Sequence, residues 1–143
     1  MQETVKIMET DAELRSCFNV IQQLRPHINE DNFLEQIRRL QLNYDYNLAA
    51  VIHNEMVKAV AGYRITESLA WGKYFYVDDF ITDEASRRQG NANILWNWLM
   101  RQAKENDCEQ FHLDSGVHRH NAHRFYLKGG LDITCHHFQM PIN

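Results

Sequence analysis

Cysteine, proline and glycine are all scarce in this chain. Its 143 residues include three cysteines, two prolines and six glycines. Cys17, Cys108 and Cys135 are odd in number, widely spaced and form no CxxC pair. That spacing argues against a disulfide framework and reads as three reduced thiols in a cytoplasmic protein. No linker, low-complexity tract or internal repeat interrupts the sequence, so residues 1–143 are read as a single domain. No stretch approaches the roughly 20 apolar residues that span a bilayer. The opening MQETVKIMET has no basic segment followed by a long apolar run. Neither a signal peptide nor a membrane partner is expected. Basic charge is not in excess either. The formal net charge is -4, whereas nucleic-acid binders usually carry a basic patch, so no nucleic-acid partner is expected.

What is present is ordinary globular material, 44% hydrophobic and 24% charged. A chain of this size buries roughly 68–70% of its unfolded surface, enough for a core without covalent staples. VKIM at 5–8 reads as a short strand. Over 10–26, Leu14, Cys17, Phe18, Ile21 and Leu24 recur at helical spacing, Thr10 and Glu13 have the spacing of a capping box, and Pro26 stops the run. A second helix is predicted around 30–41, with Phe33, Leu34, Ile37 and Leu40 as its stripe. YNLAAVIH and MVKAVAGYRIT, parted by Asn54 and Glu55, predict a hairpin. KYFYVDDFIT predicts a third strand. Asn91 to about Lys104 reads as a helix with Ile94, Leu95, Trp98 and Leu99 on its apolar side, and Trp96 off it. QFHLDS predicts a strand, AHRFYLKG a helix ended by Gly129 and Gly130, and LDITCHHFQMPI one or two closing strands. The order β-α-α-β-β-β-α-β-α-β predicts an α/β (α+β) fold with a sheet of mixed direction.

RRQGNA, Arg87 to Ala92, lies between a strand and a helix. A helix N-terminus carries unpaired amides and partial positive charge. Gly90 has no Cβ to hold a ligand off, Ala92 is small, and Arg87 and Arg88 add charge. The combination suits an anion, foremost a phosphate or pyrophosphate. It also suits a solvated basic cap. Neither GxxxxGK[ST] nor GxGxxG is present.

In its context the stretch resembles the acetyl-CoA site of the GNAT superfamily of N-acetyltransferases, whose motif is [QR]-x-x-G-x-[GA]. Arg87, Gly90 and Ala92 stand at its three defined positions. Ala122, Phe125, Tyr126, Gly130 and Leu131 fit the superfamily's later A-x-x-F-Y-x-x-x-G-[FL] pattern. The resemblance implies a central sheet of about six or seven strands, two of which splay apart. Acetyl-CoA is then the co-substrate. Its pantetheine arm would pair with the backbone of Phe80, Ile81 and Thr82. Its pyrophosphate would lie on amides from Arg88 through Gln89, Gly90, Asn91 and Ala92 to Asn93, with Arg87 supporting the loop or the phosphates. The family often has an asparagine where this chain has Arg119, and Asn121 is the candidate to replace it.

The resemblance also implies direct transfer to an amine, which must attack while neutral and leave the CoA thiolate needing a proton. Tyr126 matches the family's proton donor, and a phenol with a pKa near ~10 is protonated at neutral pH. Asp78 matches a glutamate that handles the amine proton in polyamine-type members; Asp79 is read as structural. Being adjacent in the central strand, the two side chains are expected to point to opposite faces. The acceptor predicted is the primary amine of a small molecule, in a pocket to which Tyr44, Tyr46, His118 and His120 are candidates. His118, His120 and His123 lie close in sequence, but no carboxylate or thiol has ligand spacing, so no metal is expected. His27, His53 and His112 carry no functional assignment. A non-catalytic acyl-CoA-binding sensor or partner module is the alternative. The superfamily allows a homodimer, with the final aromatic and apolar strand as its candidate interface.

Overall fold

The computed structural model describes residues 4–143. The first three residues of the opening stretch, read above for a leader, lie outside the described residues. The chain forms two compact units, one ending at His112 and one spanning Leu113–Asn143. Each is described by itself.

The first unit opens with β1 (Thr4–Ile7), followed by α1 (Asp11–Ser16), α2 (Phe18–Leu24) and α3 (Glu30–Tyr44). The capping box is formed. Thr10 Oγ1 accepts from the Glu13 amide at 3.1 Å, and Glu13 Oε1 accepts from the Thr10 amide at 2.9 Å. The single helix expected over 10–26 is instead two. Ser16 Oγ donates to the Glu13 carbonyl at 2.6 Å and the Cys17 amide donates to Leu14 O at 3.1 Å, which tightens the turn and ends α1. Asn29 caps α3 by accepting from the Asp31 amide at 2.8 Å. That helix runs past its expected end to Asp45, which closes it in the left-handed region at φ 56.

Four more strands follow: β2 (Asn47–His53), β3 (Met56–Ser68), β4 (Gly72–Thr82) and β5 (Gln110–Leu113). They lie side by side in chain order, and β1 to β4 are antiparallel. The β2–β3 turn has both central residues at positive φ, Asn54 at 51 and Glu55 at 66. That geometry matches the right-handed twist of a hairpin. Between β4 and β5 runs α4 (Asn91–Glu105). The Glu109 amide donates to Lys73 O at 2.7 Å, and Phe111 stacks on Phe75 with ring centroids 5.2 Å apart. Both pairs are 36 residues apart, so β4 and β5 advance together, as parallel strands must across a helical crossover.

One face of the sheet packs on α1–α3 through a core that includes Leu14, Phe18, Phe33, Leu48, Val60 and Ile81. The other face carries α4. Trp96 is buried there, edge-on to Phe80 and to Phe111. Trp98 is half-buried against Tyr63. Leu95, Trp96, Leu99 and Ala103 form the buried stripe, so the expectation that Trp96 lies off it is corrected: a helix flat on a sheet buries a broader arc than one ridge.

The second unit contains α5 (His120–Lys128), which stops at Gly129 and Gly130, the latter at φ 102. Residues 131–143 form no strand. The sheet therefore has five strands, where six or seven were expected, and the closing strand read from LDITCHHFQMPI is absent. A strand exists only where a second edge pairs with it, and none is paired with this segment.

Candidate functional site

The exit of β4 is clamped by one side chain of α2. Gln23 Nε2 donates to Asp83 Oδ1 at 2.9 Å, and Gln23 Oε1 accepts from the Glu84 amide at 2.8 Å. The Asp83 amide donates to Lys58 O at 2.8 Å. A 3-10 turn, Glu84–Ser86, follows. Buried Asn91, first residue of α4, reaches back across the loop and donates from Nδ2 to Ser86 O at 3.2 Å. The loop between these ties is RRQG, and Arg87, Arg88, Gln89 and Gly90 are exposed.

Gly90 is the N-cap of α4 at φ +82, and Arg88 is also left-handed at φ +66. A Cβ added at Gly90 would meet nothing within 4 Å. Glycine is required there by the backbone angle, and the space before the helix is open. The first amides of α4, at Asn91, Ala92 and Asn93, have no partner within the helix. Two guanidinium side chains and a helix N-terminus thus bracket a cradle with the chemistry of an anion site.

Upstream of the cradle, β4 outruns β5. With the 36-residue offset, Leu113 falls level with Val77. Asp78 to Thr82 continue β4 beyond that level, through Phe80, Ile81 and Thr82. The Phe80 ring itself is spent on Trp96.

The two aspartates lie at a β-bulge. Gly62 pairs with Asp79 and Tyr63 with Val77, which leaves Asp78 as the extra residue. The bulge overrides simple alternation. Asp79 accepts from Arg25 Nε at 3.0 Å and from Tyr46 Oη at 2.7 Å, and Arg25 Nη2 donates to the Asp78 carbonyl at 2.8 Å. Asp78 accepts from Arg64 Nε at 2.8 Å and Arg64 Nη2 at 2.9 Å. Arg64 is two residues from Gly62, whose missing Cβ would fall 2.7 Å from Asp79 Oδ2. Both carboxylates therefore turn to the α1–α3 face, contrary to the opposite-face expectation. A Cβ on Gly62 would also fall 1.9 Å from the Tyr46 hydroxyl, so the close approach demands glycine.

Electrostatically these pairs differ. Burial, then the negative charge of Asp79, pushes the Tyr46 phenol well above its usual range. The hydrogen bonds from Arg64 to Asp78 hold that guanidinium charged. Arg64 also lies over the Tyr76 ring at 5.1 Å. Asp78 and Arg64 side chains are 27% and 35% exposed. The Asp78 oxygens each keep a second lone pair for an outside donor. Tyr46 lines a depression of about 510 Å³ with Gln41, Asp45, Asn47 and Ile65, but its hydroxyl is committed to Asp79. Tyr44 is exposed.

The remaining candidates lie in the second unit. Tyr126 is buried in α5, next to Phe125. Asn121 is exposed, and its Oδ1 accepts from Arg124 Nη1 at 2.9 Å. His118 and His120 are exposed, and Arg119 stands before α5 as its N-cap. His123 Nε2 is 2.7 Å from the Gly116 carbonyl. Among the described residues, no group of three or more His, Cys, Asp or Glu is placed to hold a metal, and no helix is long and apolar enough to cross a membrane.

The sequence profile of the acetyltransferase (GNAT) family matches residues 9–130. The chain belongs to that family. It is an acyltransferase. Among curated relatives it is 24% identical over 139 residues to the uncharacterized N-acetyltransferase YhdJ of Bacillus subtilis, spanning 96% of this chain and 98% of that protein. Among solved structures it is similar to a transcriptional regulator from Bacillus halodurans C-125, at TM-score 0.86 and 18% identity, over 99% of this chain and 100% of the other. It is also similar to AAC(6')-Iy, solved in complex with the bisubstrate analog CoA-S-monomethyl-acetylneamine, at TM-score 0.84 and 13% identity, over 100% and 99%.

For this acetyltransferase the sequence pattern had pointed to Asp78 but not to its partner Arg64, nor to the Arg25–Asp79–Tyr46 set. The signal available was the hairpin itself: the β3–β4 register faces Arg64 with Tyr76, two residues before Asp78. Without the bulge that register does not bring Arg64 to the carboxylate.

Proposed function

We propose that the protein moves an acetyl group from acetyl-CoA to the primary amine of a small molecule by direct transfer in a ternary complex. It would act in the cytoplasm, in keeping with its free cysteines. The observation that carries the proposal is the cradle at Gly90, a left-handed glycine opening on free space at the head of α4. The pyrophosphate takes the amides from Arg88 to Asn93 and the charge of Arg87 and Arg88. The pantetheine amides pair with the extended edge of β4 at Phe80, Ile81 and Thr82. Asn121 is assigned to the cofactor as well.

The acceptor arrives as an ammonium and must lose a proton before it attacks. Asp78 attracts the cation and receives that proton directly or through water. The amine nitrogen bonds to the thioester carbon, the carbon–sulfur bond breaks, and the thiolate takes a proton from the Tyr126 hydroxyl. Solvent takes the proton that the attacking nitrogen sheds as the amide forms, and restores the phenol. This role for Tyr126 rests on its place in the A-x-x-F-Y pattern. His118 and His120 are assigned to the acceptor side.

Calorimetric titration with acetyl-CoA tests the cradle. The wild type binds saturably, and Gly90→Glu weakens binding on the order of 100-fold, because a carboxylate enters the space and repels the phosphates. A folded wild type that does not bind would reduce RRQGNA to a helix cap. On an identified amine, Tyr126→Phe and Asp78→Asn each lower kcat/KM; if neither does, the assigned roles are wrong. The engagement of Asp78 by Arg64 favours one second reading, a non-catalytic acyl-CoA-binding module. Tight binding without turnover across a broad amine panel would select it.

A further inference from the structure

The Arg25–Asp79–Tyr46 set is closed, but the Asp78–Arg64 pair beside it uses only one side of each group. A guanidinium carries five N–H donors in one plane. Arg64 gives Asp78 two of them, one from Nε and one from Nη2, as a side-on fork. Tyr76 lies against the face of the guanidinium, its ring centroid 5.1 Å away, and takes none of the in-plane hydrogens. The end-on fork is left, formed by the Nη1 hydrogens and the second hydrogen of Nη2. Among the described residues, Arg64 donates to no acceptor other than Asp78. Its side chain is 35% exposed, so the end-on fork is within reach of a solute.

The unused donors and the unused lone pairs adjoin. Nη2 donates to Asp78 Oδ1 at 2.9 Å. The second Nη2 hydrogen diverges from the first in the guanidinium plane, and Oδ1 keeps a lone pair on its own far side. A cation on Oδ1 and a carboxylate on the end-on fork therefore lie next to each other, on either side of one hydrogen bond. The charge of the surroundings points the same way. Asp78 is balanced by Arg64 and Asp79 by Arg25. Two carboxylates against two guanidiniums leave no net negative charge to draw a polycation. A molecule with one charge of each sign meets a complement for each end.

We propose that Arg64 determines acceptor specificity and that the acceptor is a small zwitterion, an amine bearing a carboxylate a few bonds away. The ammonium lies on Asp78, and the carboxylate pairs with the end-on fork of Arg64, the planar match that arginine makes and lysine does not. This rests on the acetyl-transfer reading of Asp78. Acetylation removes the positive end, so the product keeps only the carboxylate contact and leaves more readily than the substrate.

Matched acceptors test it. The common α-amino acids, β-alanine and 4-aminobutyrate are compared with their carboxamides, which keep size and amine but lack the negative end, and with spermidine as a polycation. Each is followed by thiol release from acetyl-CoA and by saturation-transfer NMR on the protein without cofactor. The best acid should exceed its amide at least ~10-fold in kcat/KM and in affinity. Arg64→Gln should bring that ratio to about one, and Arg64→Lys, which keeps the charge without the fork, to a value between. Amides or spermidine that match the acids overturn the proposal and leave acetyl transfer standing, as does an acid preference that survives Arg64→Gln. A panel in which nothing binds overturns it too. If calorimetry finds no acetyl-CoA binding, it is the transfer reading that fails, and the NMR comparison of acids with amides decides the zwitterion site by itself. Should the Arg64 variants fail to fold, the acid-to-amide ratio of the wild type decides.

Discussion

At the bulge of β4 the polar groups close on one another. Asp79 holds Arg25 and Tyr46, Asp78 holds Arg64, and the Asp78 carbonyl also takes Arg25. A few residues on, at the head of α4, the polar groups face outward. Arg87 and Arg88 are exposed, and the helix begins on a glycine with open space in front of it. Both regions combine arginine with a glycine that no other residue could replace without strain or collision. The difference lies in what completes them. The first is finished by the protein, and its loss should be felt as stability. The second, on the proposed reading, is finished by acetyl-CoA, and its loss should be felt as binding.

The largest expected effect breaks the closed region. Asp79→Ala leaves Arg25 and the buried Tyr46 hydroxyl without their acceptor and should cost about 3 kcal/mol in urea unfolding. Acetyl-CoA affinity measured on the folded fraction should not move. A change in affinity as large as the change in stability would dissolve the distinction. The next effect is the mirror image. Arg87→Ala/Arg88→Ala should alter stability by less than about 0.5 kcal/mol, weaken acetyl-CoA binding roughly tenfold, and flatten its dependence on salt. Calorimetry at two ionic strengths reads all of this. The smallest effect sharpens the account of the closed side. Burial raises Cys17 and Tyr63 each to about 12, and burial with the charge of Asp79 raises Tyr46 as well. For groups whose folded pKa is raised, the contribution is intact below the unfolded value and disappears as pH climbs toward the folded one. Urea midpoints should therefore hold steady to about pH 9 and fall above it, and Tyr46→Phe should fall less steeply than the wild type.

Much of this was legible in the residues. The capping box at Thr10 and Glu13, the hairpin about Asn54–Glu55 and the helix opening at Asn91 all follow from local rules, and all are present. The placement of the RRQG loop between strand and helix was legible for the same reason. What escaped depends on non-local partners. Ser16 back-bonding splits a helix whose apolar spacing is unbroken. Trp96 is buried because both Phe80 and Phe111 reach it from two strands. The two aspartates share a face because of a bulge that no periodicity announces. The segment after Leu131 has the composition of a strand, but composition supplies only one of the two edges a strand needs.

Gln23 lies in α2, and Arg25, two residues on, is its C-cap. The first grips Asp83 and Glu84, where the strand leaves the sheet; the second grips Asp78 and Asp79, where it bulges. The interval between the acid at the bulge and the loop that heads α4 is thus set by a single rigid part. Helix α2 with its C-cap works as a gauge block: whatever shifts it carries the bulge and the exit of the strand along in step, and the spacing between them is kept.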